Sequence, residues 1–258
     1  MRLMKRILSA AAVLALSASL LVGCSSGTAS SVPVSASSDA ESTVSSVEET
    51  ASSAVDENEA AAAQLLNDLT GSYQELWPVI LADEYKQTWL DDCTALVGEE
   101  NAEAAFEKLS SMVTSDVYGE DAVEAYANGG GAYFCGFTNS LATLTFDGET
   151  STISGTDKDG NVLFSHTYHY IGMEPVHGLY EFESDDADSG EFTYFFLAPD
   201  TSAETYHIEF RYGSDAEALS QYDAGEYAYW VASGISTDCD QTMIDNCIEL
   251  FCTENLAG

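Results

Sequence analysis

His207 and Glu209 stand two residues apart in a segment that alternates with apolar residues, His207-Ile208-Glu209-Phe210. Side chains at positions i and i+2 of a β-strand project from the same face of a sheet. A neutral imidazole and a carboxylate are both competent ligands of divalent metal ions. The sequence therefore predicts that His207 and Glu209, together with an acid from a neighbouring strand, are metal ligands.

The other three histidines are weaker candidates for a metal site. His166 and His169 are three residues apart in a strand pattern, so we expect them to project from opposite faces and not to chelate one ion together. His177 follows Pro175 in a turn. Ordinary strand and turn positions account for all three.

The elements that must position these residues are mainly short strands. After residues 129–131, three consecutive glycines, the apolar period falls to two, and Asp147-Gly148 and Asp159-Gly160 are hairpin signals. Sequential strands with short connections favour an antiparallel meander closed into a barrel. The predicted strands are 132–137, 141–146, 151–155, 162–171, 178–183, 191–197 and 204–212.

Helical periodicity flanks these strands on both sides. Apolar residues recur at three to five positions before residue 129 and again near the end of the chain, as amphipathic helices require. We expect the helices to pack outside the barrel or across one end, which makes the fold class mainly β with helices (α+β). The predicted helices are 57–69, 76–97, 102–113, 215–221 and 239–252.

The first residues predict export and lipid anchoring. Arg2, Lys5 and Arg6 precede an apolar segment over 7–22, and Leu21-Val22-Gly23-Cys24 is typical of a bacterial lipobox. The apolar segment is shorter than the roughly 20 residues that span a bilayer, which disfavours an uncleaved membrane helix. We expect a signal peptide over 1–23, lipidation at Cys24, and a location on the outer face of the cell membrane.

Composition divides the remaining chain into a tether and one domain. Residues 25–57 contain one proline and no aromatic residue, which predicts a low-complexity, disordered tether over 24–57. Residues 58–258 form one domain of ordinary size. With Cys24 acylated, five cysteines remain, an odd number that permits at most two disulfide bonds.

The charge of the chain excludes several classes of function. Lys and Arg total 7 against 44 Asp and Glu, a formal net charge of −37 at pH 7. A negative field of this size repels nucleic acids and anionic lipid headgroups. No nucleophile elbow, phosphate-binding glycine loop or His-Glu-x-x-His motif occurs, so we do not expect an enzyme.

Four segments, in order along the chain, resemble the ZinT-like family of secreted zinc-binding domains. The fold of that family is a calycin-type, lipocalin-like β-barrel with added helices, which agrees with the periodicity. Together the segments cover residues 70 to about 254. They are 71–78 (Gly-Ser-Tyr-Gln-Glu-Leu-Trp-Pro), 169–188 with its acidic turn, 198–210 with its Ala-Pro turn and His-Ile strand, and 219–230.

The resemblance implies a zinc site that is only partly retained. The family ligands are a histidine three residues before the Ala-Pro turn and a His-x-His pair on the next strand. Phe195, Thr205 and His207 occupy these positions, and the turn is one residue longer than usual. The implied function is the binding of Zn²⁺ or another divalent metal and its delivery to a metal importer.

A second hypothesis stays open. Phe195 and Thr205 in place of imidazoles would make the barrel mouth drier and better suited to a small apolar or aromatic ligand. In that case the domain would be a binding module that does not handle metal.

Overall fold

The protein is described here by a computed structural model that covers residues 45–198 and 207–256, with side chains from residue 57 onward. The predicted signal peptide, Cys24 and Thr205 lie outside the described residues, as does most of the predicted tether. The expected division into signal peptide, tether and domain therefore remains a prediction.

Eight antiparallel strands close into one barrel in sequential order, each paired with the next and the last with the first. Tyr73 on the first strand pairs with Leu144 on one side and with Ser236 of the last strand on the other. The predicted meander barrel of α+β class is confirmed. The strands are β1 Gly71–Glu75, β2 Thr143–Asp147, β3 Thr152–Thr156, β4 Val162–Met173, β5 Tyr180–Ser184, β6 Tyr194–Leu197, β7 His207–Gly213 and β8 Ala232–Ser236.

Two of these strands were not predicted, and one predicted strand was wrong. Strands β1 and β8 are five residues long and carry little periodic signal of their own. Residues 132–137 form no regular strand; Phe134 makes only isolated bridges to Thr114 and Trp230. This segment instead runs beside the start of β8, where the amide N–H of Val231 donates to the Phe134 carbonyl.

The helices surround the barrel, and their bounds differ from the periodic pattern at several points. The predicted helix over 76–97 is divided, because the chain bends at residues 81–85 and the Trp89 indole N–H donates to the Ile80 carbonyl at 2.7 Å. The helix over 120–127 was not predicted. The helices are α1 Ser45–Asp68, α2 Leu76–Ile80, α3 Lys86–Val97, α4 Glu99–Ser111, α5 Glu120–Ala127, α6 Ala216–Leu219 and α7 Gln241–Leu256.

Helix α1 packs against strands β2 and β4 through one apolar stripe. Its backbone also lies very close to the β2–β3 hairpin: a Cβ atom added to Gly148 would lie 2.4 Å from the Cα of Asn67. The Gly148 N–H donates to the Thr70 hydroxyl at 3.1 Å, which fixes the hairpin against the end of the helix. The buried residues of the stripe are Ala62, Leu65, Leu66 and Leu69.

Within the residues described, no helix combines the length and the apolar character needed to cross a bilayer.

The close contact between α1 and the β2–β3 hairpin predicts that adding one methyl group at Gly148 destabilises the protein. In Gly148→Ala the new Cβ meets backbone, which cannot rotate away, so we expect a loss of about 1–3 kcal/mol in the free energy of unfolding. Chemical denaturation at neutral pH measures the loss.

Gly172→Ala is the matched control, because the nearest atom to its added Cβ is Glu181 Oε2 at 3.7 Å, an ordinary contact. We expect this control to stay within about 0.5 kcal/mol of the unchanged protein. Equal stabilities of the two variants would contradict the described contact between the hairpin and α1.

Candidate functional site

Strand β7 carries the predicted site, and all seven of its residues are buried. Alternate residues project to opposite faces, and cross-strand pairing identifies each face. Phe210 lies opposite Leu197 and Tyr212 lies opposite Phe195, so these side chains share the interior of the barrel. His207, Glu209 and Arg211 therefore project outward, toward the surrounding helices.

The inward face is filled by aromatic rings. The ring of Phe195 lies 5.4 Å from those of Tyr168 and Tyr212 and 6.0 Å from that of Phe164, measured between centroids. Phe164 also stacks on Phe192 at 3.9 Å. Phe195 is thus a core residue of the barrel, and the rings around it occupy the space that a guest would need.

The outward face places His207 and Glu209 beneath helix α7. His207 is 6% exposed and Glu209 is 4% exposed. The imidazole of His207 lies 5.7 Å from the ring of Phe251 on α7, between centroids. The structure thus brings together the two residues that the sequence selected as ligands, on the outer face of the barrel and not in its mouth.

The Glu209 carboxyl group also faces two thiols. Ser233 pairs with Glu209 across β7 and β8, and its N–H donates to the Cys135 carbonyl at 3.0 Å. Burial, and then the charge of Glu209, raise the pKa of Cys135 and of Cys247 on α7. Both thiols therefore stay protonated at neutral pH.

Burial also determines the protonation state of His207. Removal from water disfavours the imidazolium and lowers the pKa of His207 to about 4. The ring is therefore neutral at physiological pH. A neutral imidazole is the form that binds metal ions.

Phe195 and His207 lie on opposite faces of the barrel wall. A one-residue shift of register moves every side chain of a strand to the other face of the sheet, so these two residues cannot share one ion in the observed register. The resemblance implied that Phe195, Thr205 and His207 occupy the positions of one site. Here Phe195 lies inside and His207 outside, and Thr205 is outside the described residues.

The expected placement of His166 and His169 on opposite faces agrees with the structure. His166 is on the inward side of β4, stacked on Phe164, while the side chain of His169 is 52% exposed. The Nδ1–H of each ring donates to one carboxylate of the turn after β5, His166 to Asp186 and His169 to Asp185, both at 2.8 Å. Neither histidine belongs to the β7 face.

Sequence reasoning missed a buried charged cluster around Arg211, the next outward residue of β7. The Arg211 guanidinium is fully buried and donates to the backbone carbonyls of Leu219, Gln221 and Tyr227. It also lies 4.2 Å from the centroid of the Tyr222 ring. An arginine that alternates with the apolar residues Ile208, Phe210 and Tyr212 was the available signal.

His177 and Glu174 complete this cluster. The His177 ring lies 3.8 Å from the Tyr222 ring, and its Nδ1 is 3.3 Å from a Glu174 carboxylate oxygen. Burial would raise the pKa of Glu174, but hydrogen bonds from the His177 side chain and from the backbone N–H groups of His177 and Val176 outweigh it and lower the pKa. His177 therefore serves the packing of the 174–178 turn.

A cleft of about 310 Å³ opens between the end of β1, helix α2 and the segment 113–115. Its walls are mostly apolar, and one carboxylate, that of Glu75, is part of the lining. Glu75 Oε1 accepts a hydrogen bond from the Phe137 N–H at 2.6 Å. The lining includes Trp77, Pro78, Leu81, Val113 and Phe134.

Across residues 57–198 and 207–256, no three His, Cys, Asp or Glu side chains are arranged to hold one metal ion. The zinc-binding sites of enzymes usually have three protein ligands and one open position. His207 and Glu209 are of residue types that can bind zinc, whereas Phe195 is not and lies in the barrel interior.

Comparisons with known proteins yield similarity of structure only. No protein-family profile matches the sequence, and no curated protein matches it. The solved structures that match include the Zn(II)-bound ZinT-like domain of Streptococcus pneumoniae AdcA, at 15% identity and a TM-score of 0.44, over 70% of this chain and 87% of that chain. They also include Zn(II)-bound AdcA from the same organism, at 13% identity and a TM-score of 0.41, over 70% of this chain and 33% of that chain.

The burial of His207 predicts a pH-dependent stability. The folded pKa of about 4 lies below the ordinary value of 6.5, so the unfolded chain binds the proton more tightly. Stability from this group is complete above pH 6.5 and is lost as the pH falls toward 4. When the pH falls from 7 to 5, we expect protonation of His207 to lower the free energy of unfolding by about 2 kcal/mol.

Denaturant unfolding of the protein and of His207→Gln, both in chelator, measures this contribution. The variant lacks the titrating ring. The decrease in its free energy of unfolding between pH 7 and pH 5 should therefore be smaller than that of the unchanged protein by about 2 kcal/mol. An identical pH dependence in the two proteins would contradict a buried neutral imidazole at this position.

Proposed function

We propose that this protein is an extracytoplasmic binding protein that captures Zn²⁺ or another divalent metal ion with His207 and Glu209. The observation that carries the proposal is their shared outward face on β7, two residues apart, with the imidazole held neutral by burial. An imidazole nitrogen and a carboxylate oxygen on one strand face form a small chelate. Water or an exogenous ligand would fill the remaining positions.

Two protein ligands suit a carrier better than a permanent metal centre. A site with fewer protein ligands binds more weakly, and an ion that must be passed to an importer has to leave again. The net charge of −37 raises the concentration of cations around the domain and favours their capture. Delivery to an importer, with the domain held at the membrane through lipidated Cys24, is part of the proposal.

Competition titration with a chromophoric zinc chelator tests the site directly. We expect a Kd of the order of 1 μM, raised at least tenfold in His207→Ala and in Glu209→Gln. His207→Gln gives a second variant that keeps the size of the buried side chain more nearly unchanged.

His169→Ala is the matched control, because it removes an exposed histidine that also has a carboxylate partner. Its affinity should equal that of the unchanged protein. The proposal fails if the protein shows no binding tighter than ~10 μM, or if binding is the same in His207→Ala.

A second function is favoured by a different observation, the cleft beside α2. Its volume of about 310 Å³ and its apolar walls with a single carboxylate are typical of sites for small ligands. The aromatic rings packed around Phe195 disfavour a guest beside it, so the binding module for an apolar or aromatic ligand would use this cleft instead.

The neutral dye Nile red probes this second function without repulsion by the acidic surface. Saturable fluorescence enhancement that is abolished in Thr114→Trp, where the indole would fill the cleft, would support it. Thr150→Trp on the exposed β2–β3 hairpin is the control. The absence of saturable binding, or equal binding by both variants, would exclude the cleft.

A further inference from the structure

Two cysteines from distant parts of the chain meet in the helical layer outside the barrel. Cys93 lies on α3 and Cys252 on α7, and both are 0% exposed. Their sulfur atoms are 3.9 Å apart. A disulfide bond has a length of about 2.05 Å, so a shift of about 2 Å, within the range of side-chain rotation, would join them.

We propose that Cys93 and Cys252 form a disulfide bond that fastens helix α7 to helix α3. The two helices already pack directly against each other, so the bond adds a covalent link to an existing contact. The predicted export of the chain would bring it to a compartment where disulfide bonds persist.

Thiol–disulfide exchange with an oxidant that carries a reactive disulfide, such as an extracytoplasmic dithiol oxidase, supplies the chemistry. The Cys93 thiolate attacks the disulfide of the oxidant and releases one of its thiols. The Cys252 thiolate then displaces the second thiol from the mixed disulfide. The two protein thiols lose two protons and two electrons, and the oxidant becomes a dithiol.

Burial decides when this exchange occurs. In the folded protein both side chains are fully buried, which keeps an oxidant away from the two sulfur atoms. Removal from water also raises the pKa of both Cys93 and Cys252, so neither forms the reactive thiolate readily. The bond therefore forms before α7 has docked. Once formed, it is protected from reductants by the same burial.

The link acts on the helix that covers the β7 face. Phe251 and Cys247 of the same helix face His207 and Glu209. The cross-linked residues are 159 positions apart, and closing so long a loop removes much of the entropy of the unfolded chain. The effect on metal access rests on the proposed function, whereas the bond itself does not.

Peptide mapping of the full chain, exported into an oxidising compartment and alkylated without reductant in denaturant, tests the bond. A protease that cuts after aspartate and glutamate separates all five cysteines of the domain, leaving Cys93 on peptide 93–99 and Cys252 on peptide 250–254. We expect these two peptides to be joined and Cys135, Cys239 and Cys247 to be alkylated.

Thermal unfolding provides a second measurement. Reduction in denaturant and refolding in reductant should lower the Tm of the unchanged protein by roughly 10 °C. Cys93→Ser and Cys252→Ser should show no change in Tm on reduction. Cys247→Ser, which removes a different buried cysteine of the same helix, should show the same decrease in Tm on reduction as the unchanged protein.

Alkylation of both Cys93 and Cys252 without reductant would overturn the proposal, as would either residue joined to a different cysteine. These outcomes do not depend on metal. Zinc titration and peptide mapping can therefore fail independently of one another.

Discussion

The burial of strand β7 on both faces is the constraint on which the site and much of the fold depend. Its inward face completes the aromatic interior, and its outward face is covered by α7 and by the 216–230 segment. A polar group buried in this way must find partners or lose its charge. The Arg211 guanidinium donates hydrogen bonds to backbone carbonyls, and burial keeps the His207 imidazole neutral.

The outward face of β7 therefore has two regions, one around Arg211 and one around His207 and Glu209. In the first region the Arg211 guanidinium donates to backbone carbonyls of the segment that connects β7 to β8. The arginine thereby stabilises this buried connection. Near His207 and Glu209 the neighbours include the thiol of Cys247 and the phenyl ring of Phe251 on α7. The first region is suited to a structural role, and the second keeps groups that can bind a ligand.

The sequence predicted the features that depend on local pattern. The Asp147-Gly148 and Asp159-Gly160 turns, the order of most strands and the opposite faces of His166 and His169 agree with the structure. The shared face of His207 and Glu209 follows from their spacing alone.

Features that depend on distant partners could not be predicted in the same way. The short strands β1 and β8 are defined by pairing with each other, and the cluster around Arg211 joins residues 174 to 227. The inward orientation of Phe195 follows from its pairing with Phe182 on one side and Tyr212 on the other, and the local sequence carries no information on that register. The β-propensity and the hydrophobic period of a segment predict a strand, but its pairing with neighbouring strands determines which face of the sheet each side chain occupies.

The pairing of β1 with β8 has a consequence for how the protein reaches its folded state. These strands come from opposite ends of the domain, and neither has a complete set of partners until both are present. The barrel cannot close on a partly synthesised chain, and such long-range pairing is slow to form. Folding into the closed barrel is therefore a property of the finished chain, because no shorter piece of it contains both strands of this pair.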